Sequence, residues 1–344
     1  MKNLIIQKAG SEALDYFSKF TDIDSENTFV VSTTNTFNVL NRNSRFNTLI
    51  NLSRTNDIRF INKFFEAVNS RLSNGDVFIG CLETISNRMQ RKSIGKIPII
   101  GTLYFITEFI FFRISPKIAG IKKIYFLLTR GRNRLLSKAE VLGRLVCCGF
   151  EIMDYRGING LTYYVAKKIK EPVFDMNPSY GPLYKMPRMG KDGKMIRVYK
   201  MRTMHPYAEY LQDYVLKVNG YAKSGKPAND FRLTPWGKVM RKYWLDELPQ
   251  LANVVKGDLK LVGVRPISER YFQDIPKDLQ ELRLKHKPGC IPPYVALDRK
   301  GSVEDVLQAE REYLKEKINR PYTTDTRYFF KALYNIVFRK KRSA

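Results

Sequence analysis

Between Thr28 and Cys81 the chain alternates short apolar runs with one long amphipathic stretch, and this alternation most restricts how it folds. TFVVST (28–33), TLINLS (48–53) and DVFIGC (76–81) read as short buried strands. Between the last two, NDIRFINKFFEAVNSRLSNG places Ile58, Ile61, Phe65, Val68 and Leu72 on one helical face, with Asn56 as candidate cap and Gly75 as stop. Further on, SKAE (137–140) is a capping box that opens a helix through Leu145, ending near Gly149. FEIMDY and LTYYVAKKI supply a closing strand pair. Strands alternating with helices define an α/β layer fold.

The order of these elements resembles the closing half of a class I methyltransferase domain, a partial Rossmann-like sheet. No GxGxG follows any strand, so the phosphate- and cofactor-cradling first turn is missing. The expected role is that of a scaffold or regulatory domain, over residues 1–172. The boundary falls near EPVFDMNPSYGP (171–182), rich in proline and turn formers, and a second domain covers 173–344.

The formal charge of +27 calls for an anionic partner: nucleic acid, an anionic membrane face or phosphate-bearing substrates. Four cysteines without a CxxC argue against zinc and redox chemistry, and two histidines outside any ligand-spaced cluster argue against histidine–metal and Ser-His-Asp chemistry. The N-terminal stretch MKNLIIQKAGSEALDYF has too short an apolar run for a signal peptide, which places the chain on the cytoplasmic side.

IPIIGTLYFITEFIFF (97–112) is shorter than the about twenty residues of a membrane span, and Glu108 lies inside it. Arg91, Lys92 and Lys96 precede it; Arg113, Lys117, Lys122 and Lys123 follow. Positive flanks on both sides disfavour crossing and suit an interfacial or re-entrant helix; a buried core helix fits the pattern equally well. RISP (113–116) should break it. The C-terminal TTDTRYFFKALYNIVFRKKRSA reads as a basic amphipathic helix, suited to an anionic leaflet or to packing on the core with a solvated tail.

The chemistry concentrates in the second half. In RMGKDGKMIRVYKMRTM a turn at Gly190–Gly193 leads to a strand from Met195. Ile196, Val198, Lys200 and Arg202 share a face there, with Lys200 and Arg202 about 7 Å apart, a separation that suits a diphosphate. Next, DFRLTPWGKVMRKYWLDELPQ crowds Arg232, Lys238, Arg241 and Lys242 towards Asp246 and Glu247. Leu248, Leu251, Ala252 and Val255 recur at helical spacing, which puts Asp246 near the N-cap, Glu247 in the first turn and Pro249 where a helix tolerates it. Such acids are ordinary helix-start residues, and equally a nucleophile or metal holder beside a phosphate site. KGDLKLVGVRP then turns back through a short strand and presents Arg265, suited to forked phosphate contacts.

From about Gly181 onwards these stretches, together with RLKHKPG, resemble the bacterial sugar transferase family of monotopic polyprenol-phosphate phosphoglycosyl transferases. The resemblance implies an α+β catalytic domain at the cytoplasmic face of the bacterial inner membrane. It implies transfer of sugar-1-phosphate from a nucleotide diphosphate sugar to polyprenyl phosphate at the start of surface polysaccharide synthesis. On the matching positions Asp246 is the nucleophile, Glu247 its partner, and magnesium the cofactor held by the two. Lys200, Arg202, Arg241 and Arg265 bind substrate or phosphate. Three features depart from the pattern: Val264 replaces a proline before Arg265, CIPPY (290–294) follows KPG, and the hydrophobic helix does not directly precede the catalytic domain. A nucleic-acid-binding role fits poorly, because the cations surround a carboxylate pair instead of a base-reading element. An inactive family member serving as an assembly scaffold is the other alternative.

Overall fold

The computed structural model describes the chain except residues 42–44, 94–96, 98, 119, 175–179, 221–226, 300–301 and 342–344. Lys96, Pro98, the middle of the boundary segment and Arg342 therefore lie outside the described residues. The chain forms two compact units, one of Met1–Tyr180 with His205–Arg232, the other of Gly181–Met204 with Leu233–Ala344.

The first unit is built on a five-stranded sheet: β1 (Thr28–Val31), β2 (Thr48–Arg54), β3 (Val77–Leu82), β4 (Phe150–Ile158) and β5 (Leu161–Lys168), in the order β1-β2-β3-β5-β4. β1, β2 and β3 run parallel; β5 is antiparallel to both β3 and β4. Alternation along the strands divides the core between two faces. Leu49, Phe78, Tyr164 and Ala166 pack with Phe64, Phe65 and Val68 of the helix Ile61–Arg71 and Leu142 of the helix Lys138–Cys147. Ile50, Ile79, Tyr163 and Val165 pack instead with Ile5 and Phe17 from the helices Lys2–Ala9 and Ser11–Phe17. Helices thus cover both faces of a mixed sheet, an α/β layer arrangement.

Two expected caps take on other work. The helix begins at Ile61, and Asn56 lies buried in the preceding turn, where its amide nitrogen bridges the carbonyls of Glu83 and Arg134 and its oxygen accepts from Glu83 N. A short amide that satisfies three backbone groups from two distant loops contributes more there than at a helix end. Ser137 does cap Glu140 N, but the Glu140 carboxylate turns to the guanidinium groups of Arg113 and Arg144, so the capping box is half formed.

The apolar run forms a helix, Ile100–Phe109, continued by a π-helical turn, Ile110–Ile114, and a 3-10 turn, Ser115–Lys117, that contains Pro116. A further helix, Ile121–Thr129, follows. A wholly buried core helix over 97–112 is ruled out, because Ile100, Leu103, Ile106 and Ile110 are exposed; Ile124, Leu127 and Leu128 of the following helix are exposed too. The flanking cations are not simply solvated either. Arg91 pairs with Glu83 at 2.7 Å, Lys92 with Glu108 at 2.6 Å, and Arg113 with Glu140. Among the described residues, no helix is long and apolar enough to cross a membrane.

The second unit is α+β. β6 (Leu183–Met189) and β7 (Met195–Met201) form an antiparallel hairpin across the turn Lys191–Gly193. β8 (Lys260–Val262) and β9 (Gly289–Ile291) form a short parallel pair. Val262, Val264, Leu279 and Tyr294 share a core with Tyr313 and Leu314 of the helix Val303–Asn319 and with Tyr328 and Ala332 of the helix Thr324–Val337.

Candidate active site

Asp246 and Glu247 sit in a 3-10 turn, Leu245–Gln250, which passes into the short helix Leu251–Val255. Asp246 is therefore not an N-cap. Trp244 holds that place with φ +55°, a left-handed conformation that a bulky side chain adopts only when its surroundings impose it. The apolar stripe of Leu248, Leu251, Ala252 and Val255 is real in spacing, yet it faces outward, with Val255 90% exposed. The opposite side is held by a polar residue. Asn253 is fully buried; its Oδ1 accepts from Tyr199 N at 2.9 Å, and its Nδ2 donates to Arg197 O at 2.8 Å. This one amide fastens the carboxylate-bearing segment to β7.

The result is a compact charge array. Lys200, on β7, places its ammonium 3.0 Å from Asp246 Oδ2 and 3.1 Å from Glu247 Oε1. Arg265 approaches the same Glu247 oxygen at 3.4 Å. The Asp246 side chain is 2% exposed and that of Glu247 16%. Apart from the Lys200 contact, Asp246 Oδ2 is a buried acceptor with no hydrogen-bond donor among the described residues. Glu247, Lys200 and Arg265 line a cleft of about 90 Å³ with Arg188, Gln250, Cys290 and Pro292. Burial, chiefly, lowers the Arg188 pKa, with Arg265 adding repulsion. Burial also pushes the Cys290 thiol up to about 11, with Glu247 acting in the same direction, so it stays a neutral wall residue.

Of the remaining sequence candidates, Arg202 is anchored at the entry to the hairpin, donating from Nε to Gly181 O at 3.0 Å and lying over the Tyr184 ring. Arg241 is held by Thr203 Oγ1 at 2.9 Å. Arg232 belongs to the first unit, is buried, and pairs with Asp230 at 2.8 Å. Arg188, Gln250 and Asn253 escaped the sequence reading. Arg188 and Gln250 lie inside the quoted motif stretches and Asn253 between two of them, but a buried amide or a wall-lining arginine has no periodic signature.

Arg265 is set by its backbone. Its N–H donates to Glu310 Oε1 at 3.3 Å, and its carbonyl accepts from Arg283, which also pairs with Glu310. Gly263 and Gly289 pack backbone to backbone beneath it; a Cβ on Gly289 would lie 2.2 Å from Gly263 N.

Two adjacent carboxylates, one with a buried oxygen that meets only the Lys200 ammonium among the described residues, fit a magnesium ion that shares them with phosphate oxygens and water. Among the described residues no group of three or more His, Cys, Asp or Glu side chains forms an all-protein metal site. The arrangement suits phosphate chemistry: it offers acidic oxygens to an electrophile or metal and cations to an anionic remainder.

Residues 173–339 match the family model described as bacterial sugar transferase. The chain is 40% identical over 119 residues to an undecaprenyl-phosphate galactose phosphotransferase of Salmonella typhimurium, covering 32% of this chain and 24% of that protein. It is 34% identical over 114 residues to a UDP-N-acetylgalactosamine-undecaprenyl-phosphate N-acetylgalactosaminephosphotransferase of Aeromonas hydrophila, covering 32% and 25%. An uncharacterized sugar transferase of Bacillus subtilis is 37% identical over 145 residues, covering 42% and 58%. The aligned part is thus under two thirds of each relative's length.

Proposed function

We propose that the chain transfers a sugar-1-phosphate from a nucleoside diphosphate sugar, with UDP-sugars the first candidates, to polyprenyl phosphate. The observation that carries this reading is the Lys200 ammonium bridging Asp246 and Glu247 with Arg265 beyond, inside a sugar transferase domain. Two relatives are named for this class of transfer to undecaprenyl phosphate.

The charge array around Asp246 and Glu247 supports the following steps. Lys200 covers Asp246 Oδ2. An incoming diphosphate competes for that ammonium and, in drawing it away, bares the carboxylate oxygen. Oδ2 then attacks the sugar-bearing phosphorus. An O–P bond forms, the bond to the bridging oxygen of the diphosphate breaks, and the nucleoside monophosphate leaves with the electron pair. In the second half-reaction a phosphate oxygen of the polyprenyl phosphate attacks the same phosphorus and Asp246 departs as carboxylate. Lys200 and Arg265 offset the charge on the non-bridging oxygens in both steps. Magnesium held by Asp246 and Glu247 would neutralise the diphosphate.

The exposed apolar residues of 99–128 support seating on the cytoplasmic leaflet without crossing it. The parallel strands with helices on both faces support a partial Rossmann-like scaffold for the first unit. The test is release of nucleoside monophosphate by the detergent-purified chain with magnesium, polyprenyl phosphate and a panel of UDP-sugars. Lipid-dependent release is expected, abolished by EDTA and reduced at least about 10³-fold in Asp246→Asn, as befits loss of a nucleophile. Absence of release from every donor by folded protein would favour a scaffold without catalysis.

A further inference from the structure

We propose that the first unit carries a second anion site, a cavity that binds a phosphate or diphosphate ester whose organic part is aromatic or apolar. The cavity has a volume of about 560 Å³ and lies wholly within that unit. This volume falls within the range of small-molecule sites and far exceeds what an inorganic ion fills.

Its wall is cationic. Arg59, Lys63, Arg113, Lys117, Lys122, Arg134 and Arg144 line it, against two carboxylates, Glu66 and Glu140. Glu140 already serves Arg113 and Arg144 together. Arg144 is only 6% exposed, and its Nε is buried with no hydrogen-bond partner among the described residues; the same holds for Nε of Arg134. Burial first, and then the charge of Arg144, lower the Arg134 pKa to about 10. A cluster serving only the fold would have its N–H groups satisfied and its charge balanced, because an uncompensated buried cation is costly. This one keeps two buried donors without a partner among the described residues, and its seven cations outnumber the two carboxylates around the cavity.

Aromatic rings are set among the cations. The Arg144 guanidinium lies 4.5 Å from the Tyr207 ring centroid and 5.4 Å from that of Tyr180, and Arg59 lies 5.3 Å from that of Phe126. Phe60, Phe112 and Phe174 complete the apolar wall. Guanidinium groups suit phosphate oxygens, and the rings suit either a nucleobase or an isoprenoid chain. None of these residues belongs to the carboxylate cleft, so this site stands or falls independently of the proposed reaction.

Peptide-resolved hydrogen exchange on the full chain tests it with three probes: inorganic pyrophosphate, UDP, and farnesyl phosphate in detergent. Protection is expected in peptides covering 58–66, 112–117 and 134–144, read separately from peptides of the carboxylate cleft. The double substitution Lys63→Glu and Lys122→Glu, on two exposed side chains, should weaken it about tenfold or more without lowering the melting temperature. Should charge reversal lower it, Lys63→Gln with Lys122→Gln repeats the comparison. Tighter binding of UDP than of pyrophosphate assigns a nucleotide, and tighter binding of farnesyl phosphate a lipid phosphate; either supports the site. No protection in any arm, or protection undiminished in the substituted proteins, overturns it.

Discussion

Val264 stands where the family resemblance places a proline, and its neighbours show why the turn holds. Its side chain is buried in the core of the second unit, and its carbonyl accepts from Gly289 N at 2.9 Å. The loop is kept by that bond, by Glu310 on the Arg265 amide, and by the contact of Gly263 with Gly289. Gly289→Ala should therefore be among the most damaging small substitutions. Its methyl group meets backbone that cannot yield, so a loss of about 1–3 kcal/mol from overpacking is expected in urea unfolding, along with most of the transferase activity. His205 carries a pH effect. Burial, with Arg113 adding repulsion, lowers its pKa to about 4. Between its ordinary value near 6.5 and about 4, the unfolded chain binds a proton that the folded chain refuses. Stability therefore falls as pH falls through that window, by about 1.4 kcal/mol per unit at most. Unfolding curves of His205→Gln should lack this part of the slope; an unchanged slope would assign it elsewhere.

At the scale of elements, strands and helices that bury one face were legible, and elements held by polar anchors were not. β1, β2 and β3 begin within a residue of the apolar runs that announce them, and the turn before β7 falls at Gly190–Gly193 as expected. The segment after Glu247 shows the limit. Apolar spacing gives a periodicity but not the side that is covered, and here Asn253 takes the inner side while the leucines face out. Asn253→Ala should cost about 1–3 kcal/mol, because Tyr199 N and Arg197 O lose their partner, and should lower transferase turnover by loosening the carboxylates from Lys200. Asn253→Asp keeps the acceptor for Tyr199 N but turns a carboxylate oxygen onto Arg197 O and Asp258 Oδ2, so it should lose at least as much stability while retaining more of the turnover. Equal losses of turnover in the two variants would deny Asn253 a positioning role.

At the scale of the molecule, the net charge of +27 is divided among distinct tasks. Some cations close on the carboxylates, some neutralise buried acids, and several line the cavity of the first unit. The exposed side chains from Ile99 to Leu128 form the surface expected to meet lipid. Leu127→Asp with Leu128→Asp should reduce co-flotation with anionic liposomes at least about tenfold while leaving the melting temperature within about 2 °C, since exposed apolar side chains stabilise lipid contact and not the fold. Unaltered flotation would shift attachment to the helix Thr324–Val337, whose Phe330, Leu333 and Val337 are also exposed. The sequence by itself determined the α/β and α+β halves, the identity of the paired acids and the presence of Arg265. The first half and the acids and arginine rest on local periodicity or on residue chemistry in a short motif, and the α+β class of the second half on the family resemblance those motifs carry. Only the tertiary structure decided that Lys200 joins both carboxylates, that Asn253 fastens them to β7, that residues 205–232 fold with the first unit, and that seven cations surround one cavity. These depend on segments far apart in the chain meeting in space, and no local pattern encodes which polar group will find which partner.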